Sequence, residues 1–228
     1  MKAPIVAAAM LTLLAPHASD AQRARQRTAP TKPAASVPAD PIFPEPDFQA
    51  AFKETLFCGG KSKKPAPENC ASTWRDISWS MTNGRIGEIK PAVGSPWLFE
   101  CNYDAVEDEE RCFFRTGDAF AVILSGNRVL VTWGYNRFPG SELVARFDDD
   151  APLRTAAQDG WTWSQSEALM RKMLYKNALR YRWSDWPENS NHDGSINLDR
   201  FADVASLMKA ISYTFSAIQS DRRSAAGN

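Results

Sequence analysis

Residues 118 to 134, DAFAVILSGNRVLVTWG, constrain the fold of this chain more than any other stretch. Two runs rich in valine, leucine, isoleucine and aromatics flank Gly126-Asn127, a pair suited to a tight turn, so the segment predicts an antiparallel hairpin. The same grammar recurs. In DISWSM, Ile77, Trp79 and Met81 alternate with polar neighbours and lead into Asn83-Gly84, another turn signal. SPWLFEC and CFFRTG flank the acidic run NYDAVEDEER, and SELVARFDDD follows a Pro139-Gly140 turn. In ALRYRWSDW, Leu179, Tyr181 and Trp183 alternate with Arg180, Arg182 and Ser184. Period-two alternation is the mark of half-buried strands. A chain with this many hairpin signals is predicted to be mainly β (α+β): an antiparallel β-sandwich with two or three packed helices.

The helices are predicted from a different period. Asp47 is placed to cap a short helix whose apolar stripe is Phe48, Ala51, Phe52, Thr55 and Leu56, ended by Gly59 and Gly60. SQSEALMRKMLYKN opens with Ser164 and Glu167 at capping-box spacing and carries Leu169, Met170, Met173 and Leu174 on one face. Val204, Leu207, Met208 and Ile211 predict a terminal amphipathic helix.

The ends of the chain have a different character. MKAPIVAAAMLTLLAPHASDAQ has one basic residue, Lys2, an apolar run and small residues before Ala21, which is the layout of a signal peptide over residues 1–21. The alternative, a membrane anchor, needs roughly 20 apolar residues to span, and this run is shorter. Residues 22–41 are rich in proline and arginine and nearly devoid of large apolar side chains. They are expected to form a disordered linker, with attraction to an anionic surface as the rival reading. A single β-rich domain is expected over residues 42–220 and a flexible tail over 221–228. The expected location is therefore periplasmic or secreted, with no integral membrane segment after signal removal.

Cysteine usage agrees with export. Four cysteines, Cys58, Cys70, Cys101 and Cys112, allow three pairings. The sequential one, Cys58–Cys70 with Cys101–Cys112, closes two short loops and is preferred. A zinc site is disfavoured because no C-x-x-C pair is present. Lysine plus arginine balance aspartate plus glutamate at 27 each, so no net charge argues for nucleic acid.

Catalytic motifs are sparse. After signal removal His192 is the one remaining histidine, and it lies in a polar stretch. No G-x-S-x-G, H-E-x-x-H or phosphate-cradling glycine loop occurs. NSNHDGSINLDRF (189–201) imitates a calcium loop, with Gly194 and Ile196 in the right places. Its twelfth position is Arg200, where such a loop requires a bidentate glutamate. The simpler reading is a hairpin turning at His192-Asp193-Gly194. The acidic hairpin tip is read as a solubilising feature rather than a cation site. Trp161 with Trp163, and Trp133 with Tyr135, are expected to share a face if strand-like, and such pairs either stack on sugar rings or fill the core.

Arg146 and Asp148 are predicted to share a strand face and, if those strands are neighbours, to meet Arg180 and Arg182, either in cross-strand ion pairs, which is the preferred reading, or as a polar contact surface for a partner. SELVARFDDDAP, a Trp-Ser helix, the ALRYRW strand and a short strand running into a terminal helix give residues 95 to 212 a resemblance to exported bacterial proteins. The groups resembled are the invasion-associated locus B family and VasI-type accessory proteins of type VI secretion. That resemblance implies small disulfide-bonded β-sandwiches with no established enzyme activity and an accessory role in the envelope. The acidic loop and the Cys58–Cys70 unit depart from it. The expected function is thus a non-enzymatic envelope binding module, without a cofactor, whose partner is an envelope protein or glycan. The alternatives are a carboxylate-dependent enzyme on envelope glycan and a calcium-stabilised module using 189–200.

Overall fold

The computed structural model describes residues 45–64, 67–117 and 119–226, all within one unit spanning Asp40–Asn228. The expected signal peptide and linker lie outside the described residues.

The chain begins with α1 (Glu45–Leu56), then runs through β1 (Cys70–Trp74), β2 (Ile77–Thr82), β3 (Ile86–Lys90), β4 (Trp97–Asp104), β5 (Glu109–Thr116), β6 (Phe120–Ser125) and β7 (Arg128–Trp133). Each of these strands pairs antiparallel with the next, giving a seven-stranded meander. After β8 (Glu142–Phe147) and β9 (Leu153–Ala156) come α2 (Trp163–Tyr175), β10 (Ala178–Asp185), β11 (Ser190–Asn197) and α3 (Phe201–Ala226). The last four strands form a second antiparallel sheet in the order β11-β10-β8-β9. The architecture is mainly β with three helices and is sandwich-like, as expected.

The two sheets meet through large aromatics. Tyr181 of β10 lies 5.3 Å from the Phe120 ring and 5.7 Å from the Trp133 ring, centroid to centroid. The buried Trp133 indole N–H donates to the Arg182 carbonyl at 3.0 Å, so a polar atom taken from water is satisfied across the interface. Both predicted disulfides are present, Cys58–Cys70 and Cys101–Cys112. The second joins residues directly opposite one another in the β4–β5 ladder and locks the arms of that hairpin.

Helix α3 departs from its amphipathic prediction. Between Val204 and Phe215 it is buried almost all round, because Ala205, Ser206, Ala210, Ser212 and Thr214 are buried beside the predicted stripe. Small side chains let α1, α2 and β5 approach the helix closely. Its buried Thr214 hydroxyl meets that of Thr55 on α1 at 2.8 Å. The helix continues through Ala226, past the boundary expected at residue 220.

Three local expectations are corrected. Helix α1 starts at Glu45, so Asp47 lies within it rather than capping it. Helix α2 is capped by Thr162, whose side chain accepts from the Gln165 N–H while the Gln165 side chain accepts from the Thr162 N–H; Ser164 is already helical. Thr162 offers the same capping chemistry two residues earlier, next to the buried Trp161 that anchors the chain there. Residues 192–194 are not a turn. His192, Asp193 and Gly194 pair with Trp183, Arg182 and Tyr181 in mid-strand, and the reversal occurs at 186–189, where Asn189 takes a φ of 52°.

Candidate functional site

The outer face of the four-stranded sheet follows directly from strand periodicity. Leu143, Ala145 and Phe147 of β8 and Leu179, Tyr181 and Trp183 of β10 are buried, so Val144, Arg146, Arg180 and Arg182 are left on the opposite face. The register then fixes their neighbours. Arg180 stands directly opposite Arg146 and Arg182 opposite Val144 on one side, while Arg182 stands opposite Asp193 and Arg180 opposite Ser195 on the other. On β9, Arg154 is opposite Val144. Arg146, Arg154, Arg180, Arg182, Asp193 and Ser195 all line one open depression of about 590 Å³.

Two of these guanidiniums are neutralised. Arg182 donates Nε–H and Nη2–H to the two oxygens of Asp193 at 2.6 and 2.8 Å, a fork-to-fork pair. The hydrogen bonding holds the Asp193 carboxyl below the ordinary carboxylate range and raises Arg182. Arg154 donates to Glu142 at 2.8 Å. Among the described residues, Arg146 and Arg180 meet no carboxylate and have no hydrogen-bond partner. Like charges directly opposite in a ladder are destabilising, so the sheet carries an electrostatic cost at this position.

Of the predicted site residues, Arg146, Arg180 and Arg182 are therefore brought together, and Asp148 is not. Asp148 leaves the strand with a φ of 42°. Its carboxylate accepts the backbone N–H groups of Asn177 and Ala178 at 3.2 and 2.9 Å, tying the end of β8 to the start of β10. Asp150, two residues on, pairs with Lys172 of α2 and with Lys176, the residue that caps that helix. Asp148 thus ties strand to strand, and Asp150 ties the end of β8 to the end of α2. Arg154 and Asp193 do not stand out in the sequence: β9 is only four residues long, and Asp193 reads as part of a turn. A usable signal existed in LRT (153–155), which repeats the flanked-arginine pattern of LRYRW.

The other candidate groups are occupied by structural contacts. His192 stacks on Trp183 at 5.2 Å, and its Nε2 lies 2.9 Å from Asp185 and 3.2 Å from the Ser190 hydroxyl. Serine and aspartate share one ring nitrogen, whereas a proton relay needs them on opposite nitrogens. In the 189–200 segment Asp193 is held by Arg182, and Arg200 bonds Asp203 and the Arg75 carbonyl. At the acidic tip, Glu107 and Glu109 pair with Arg111, and Glu110 with Arg223. Arg137 spends its donors on the carbonyls of Trp133, Gly134 and Ala157 and on the Thr132 hydroxyl, and burial lowers its pKa. The expected aromatic pairs do not share a face. Trp133 and Trp161 are core residues, Tyr135 lies exposed beyond the end of β7, and Trp163 opens α2.

Comparisons of the chain with models of protein families, with curated proteins and with solved structures returned no match. The two disulfides fit a non-cytoplasmic protein, and no described helix is long and apolar enough to cross a membrane.

Proposed function

We propose that the protein is a non-enzymatic, exported binding module of the bacterial envelope that engages its partner through the outer face of the four-stranded sheet. The observation that carries this reading is the register of Arg146 against Arg180 with no carboxylate on either. Four guanidiniums face Asp193 and Glu142, leaving two positive charges for a partner. Because the opposed pair costs the fold stability, its presence is best explained by something that binds it. The partner is an envelope protein or glycan that brings anionic groups to this face. A periplasmic or secreted location is supported by the leader-like first 21 residues and by the disulfides. The resemblance of residues 95 to 212 to invasion-associated locus B and VasI-type proteins points the same way.

A carboxylate-dependent glycan enzyme needs two available carboxyl groups facing one cleft. The depression presents Asp193, with both of its oxygens on Arg182. Asp108, Glu109 and Glu110 line a second depression, where Tyr103 donates to Asp108, Arg111 pairs with Glu109 and Arg223 with Glu110, so the binding reading is the better supported.

Co-sedimentation of the full protein with isolated bacterial envelope tests it. The wild type is expected to sediment in a salt-sensitive manner, and Arg146→Gln/Arg180→Gln to remain largely in the supernatant. Equal sedimentation of the two proteins, or none by either, contradicts the proposal.

A further inference from the structure

We infer, building on the binding role proposed above, that the ligand of this face is a phosphorylated sugar whose phosphate monoester is held jointly by Arg146 and Arg180. The face contains its own comparison for the chemistry. Where a carboxylate meets a guanidinium here, as in Asp193 with Arg182, its two oxygens fill a single fork. Arg146 and Arg180 are two forks directly opposite one another in the ladder, neither of them filled. One carboxylate has too few oxygens and too little charge to satisfy both. A phosphate monoester has three peripheral oxygens and a charge near −2 at neutral pH, which matches the two uncompensated positive charges of the face.

The surroundings of the two arginines favour a sugar as the carrier. Ser195 is opposite Arg180 in register and exposed, offering a hydroxyl that both donates and accepts. Asp193 keeps further lone pairs on oxygens already oriented by Arg182. Val144 and Pro152, lining the same depression, give an apolar surface for the C–H face of a ring. The depression, at about 590 Å³, is of the size that holds a small ligand. A bare inorganic phosphate would leave these groups unused, and an unphosphorylated sugar would leave the two arginines unpaired.

Titration calorimetry of the full protein in phosphate-free buffer separates the possibilities. The probes are glucose 6-phosphate, inorganic phosphate, glucuronate, glucose and phosphatidylglycerol vesicles. Glucose 6-phosphate is expected to bind best, inorganic phosphate more weakly, and glucuronate and glucose least. Arg146→Gln and Arg180→Gln should each weaken glucose 6-phosphate binding about tenfold or more. Arg146→Lys, which keeps the charge and loses the fork, should recover only a small part. No binding of glucose 6-phosphate, equal binding of glucuronate, binding undiminished in the double Gln variant, or binding of the vesicles alone overturns the inference. The wild-type ranking decides the question even if a variant fails to fold. Loss of envelope co-sedimentation in the Gln variants without sugar-phosphate binding would overturn the ligand and leave the binding module standing. Absence of both overturns the two together.

Discussion

Gly194 illustrates how a residue's role changes once its neighbours are known. In the sequence it belongs to an apparent turn. In the structure it is a mid-strand residue opposite Tyr181, and a Cβ at this position would lie 2.2 Å from Tyr181 Cζ. The Tyr181 ring cannot retreat, because it is buried against Phe120 and Trp133. Gly194→Ala is therefore expected to destabilise by about 1–3 kcal/mol through overpacking, read as a lower urea midpoint. The opposite sign is expected at Arg146. Replacing it with Gln relieves a like-charge opposition and should leave stability unchanged or raise it by about 0.2–1 kcal/mol, while weakening envelope binding. A clear loss of stability in Arg146→Gln would mean that the arginine supports the fold rather than a partner. The arginines were legible from alternation alone. The occupation of Asp148 by backbone amides was not, because it depends on where β10 begins.

At the scale of elements, periodicity identified most strands and the stripes of the helices, since residues two apart on a strand or three to four apart on a helix share a face regardless of context. It failed where burial is two-sided. Ala205, Ser206, Ala210, Ser212 and Thr214 of α3 carry little apolar signal, yet they are buried where the helix packs. The Thr55–Thr214 contact between α1 and α3 is the most exacting consequence of that packing. Thr55→Val strands the Thr214 hydroxyl in the interior and is expected to cost about 1–3 kcal/mol, whereas the double variant Thr55→Val/Thr214→Val should cost less than the single one. A double-mutant cycle by chemical denaturation checks this, and strictly additive losses would show that the two hydroxyls do not depend on each other.

For the whole molecule, hairpins were legible and sheet order was not. The pairing of β8 with β10 crosses β9 and α2, and nothing local in either strand specifies it. That pairing brings Arg146 against Arg180, so the site became definite only with the tertiary structure. Carboxylates held by cationic partners give the fold a defined acid response. Hydrogen bonds from Lys176 and Lys172 hold Asp150 below the ordinary carboxylate range, and Arg182 does the same for Asp193. A depressed folded pKa contributes stability that is present above the unfolded value of about 3.9 and lost as pH falls through the folded value. The melting temperature should accordingly decline gently below about pH 4, and Asp150→Asn should narrow the difference between neutral and acid melts. Retention of the full wild-type decline in that variant would remove Asp150 from the explanation. That a phosphorylated sugar binds at the arginine face of the four-stranded sheet is checked by mapping backbone amide resonances during titration with glucose 6-phosphate. Shifts are expected to concentrate at Arg146, Arg180 and Ser195. Shifts confined to other surfaces, such as the exposed aromatics at Tyr135 and Trp186, or no shifts at all, would contradict it.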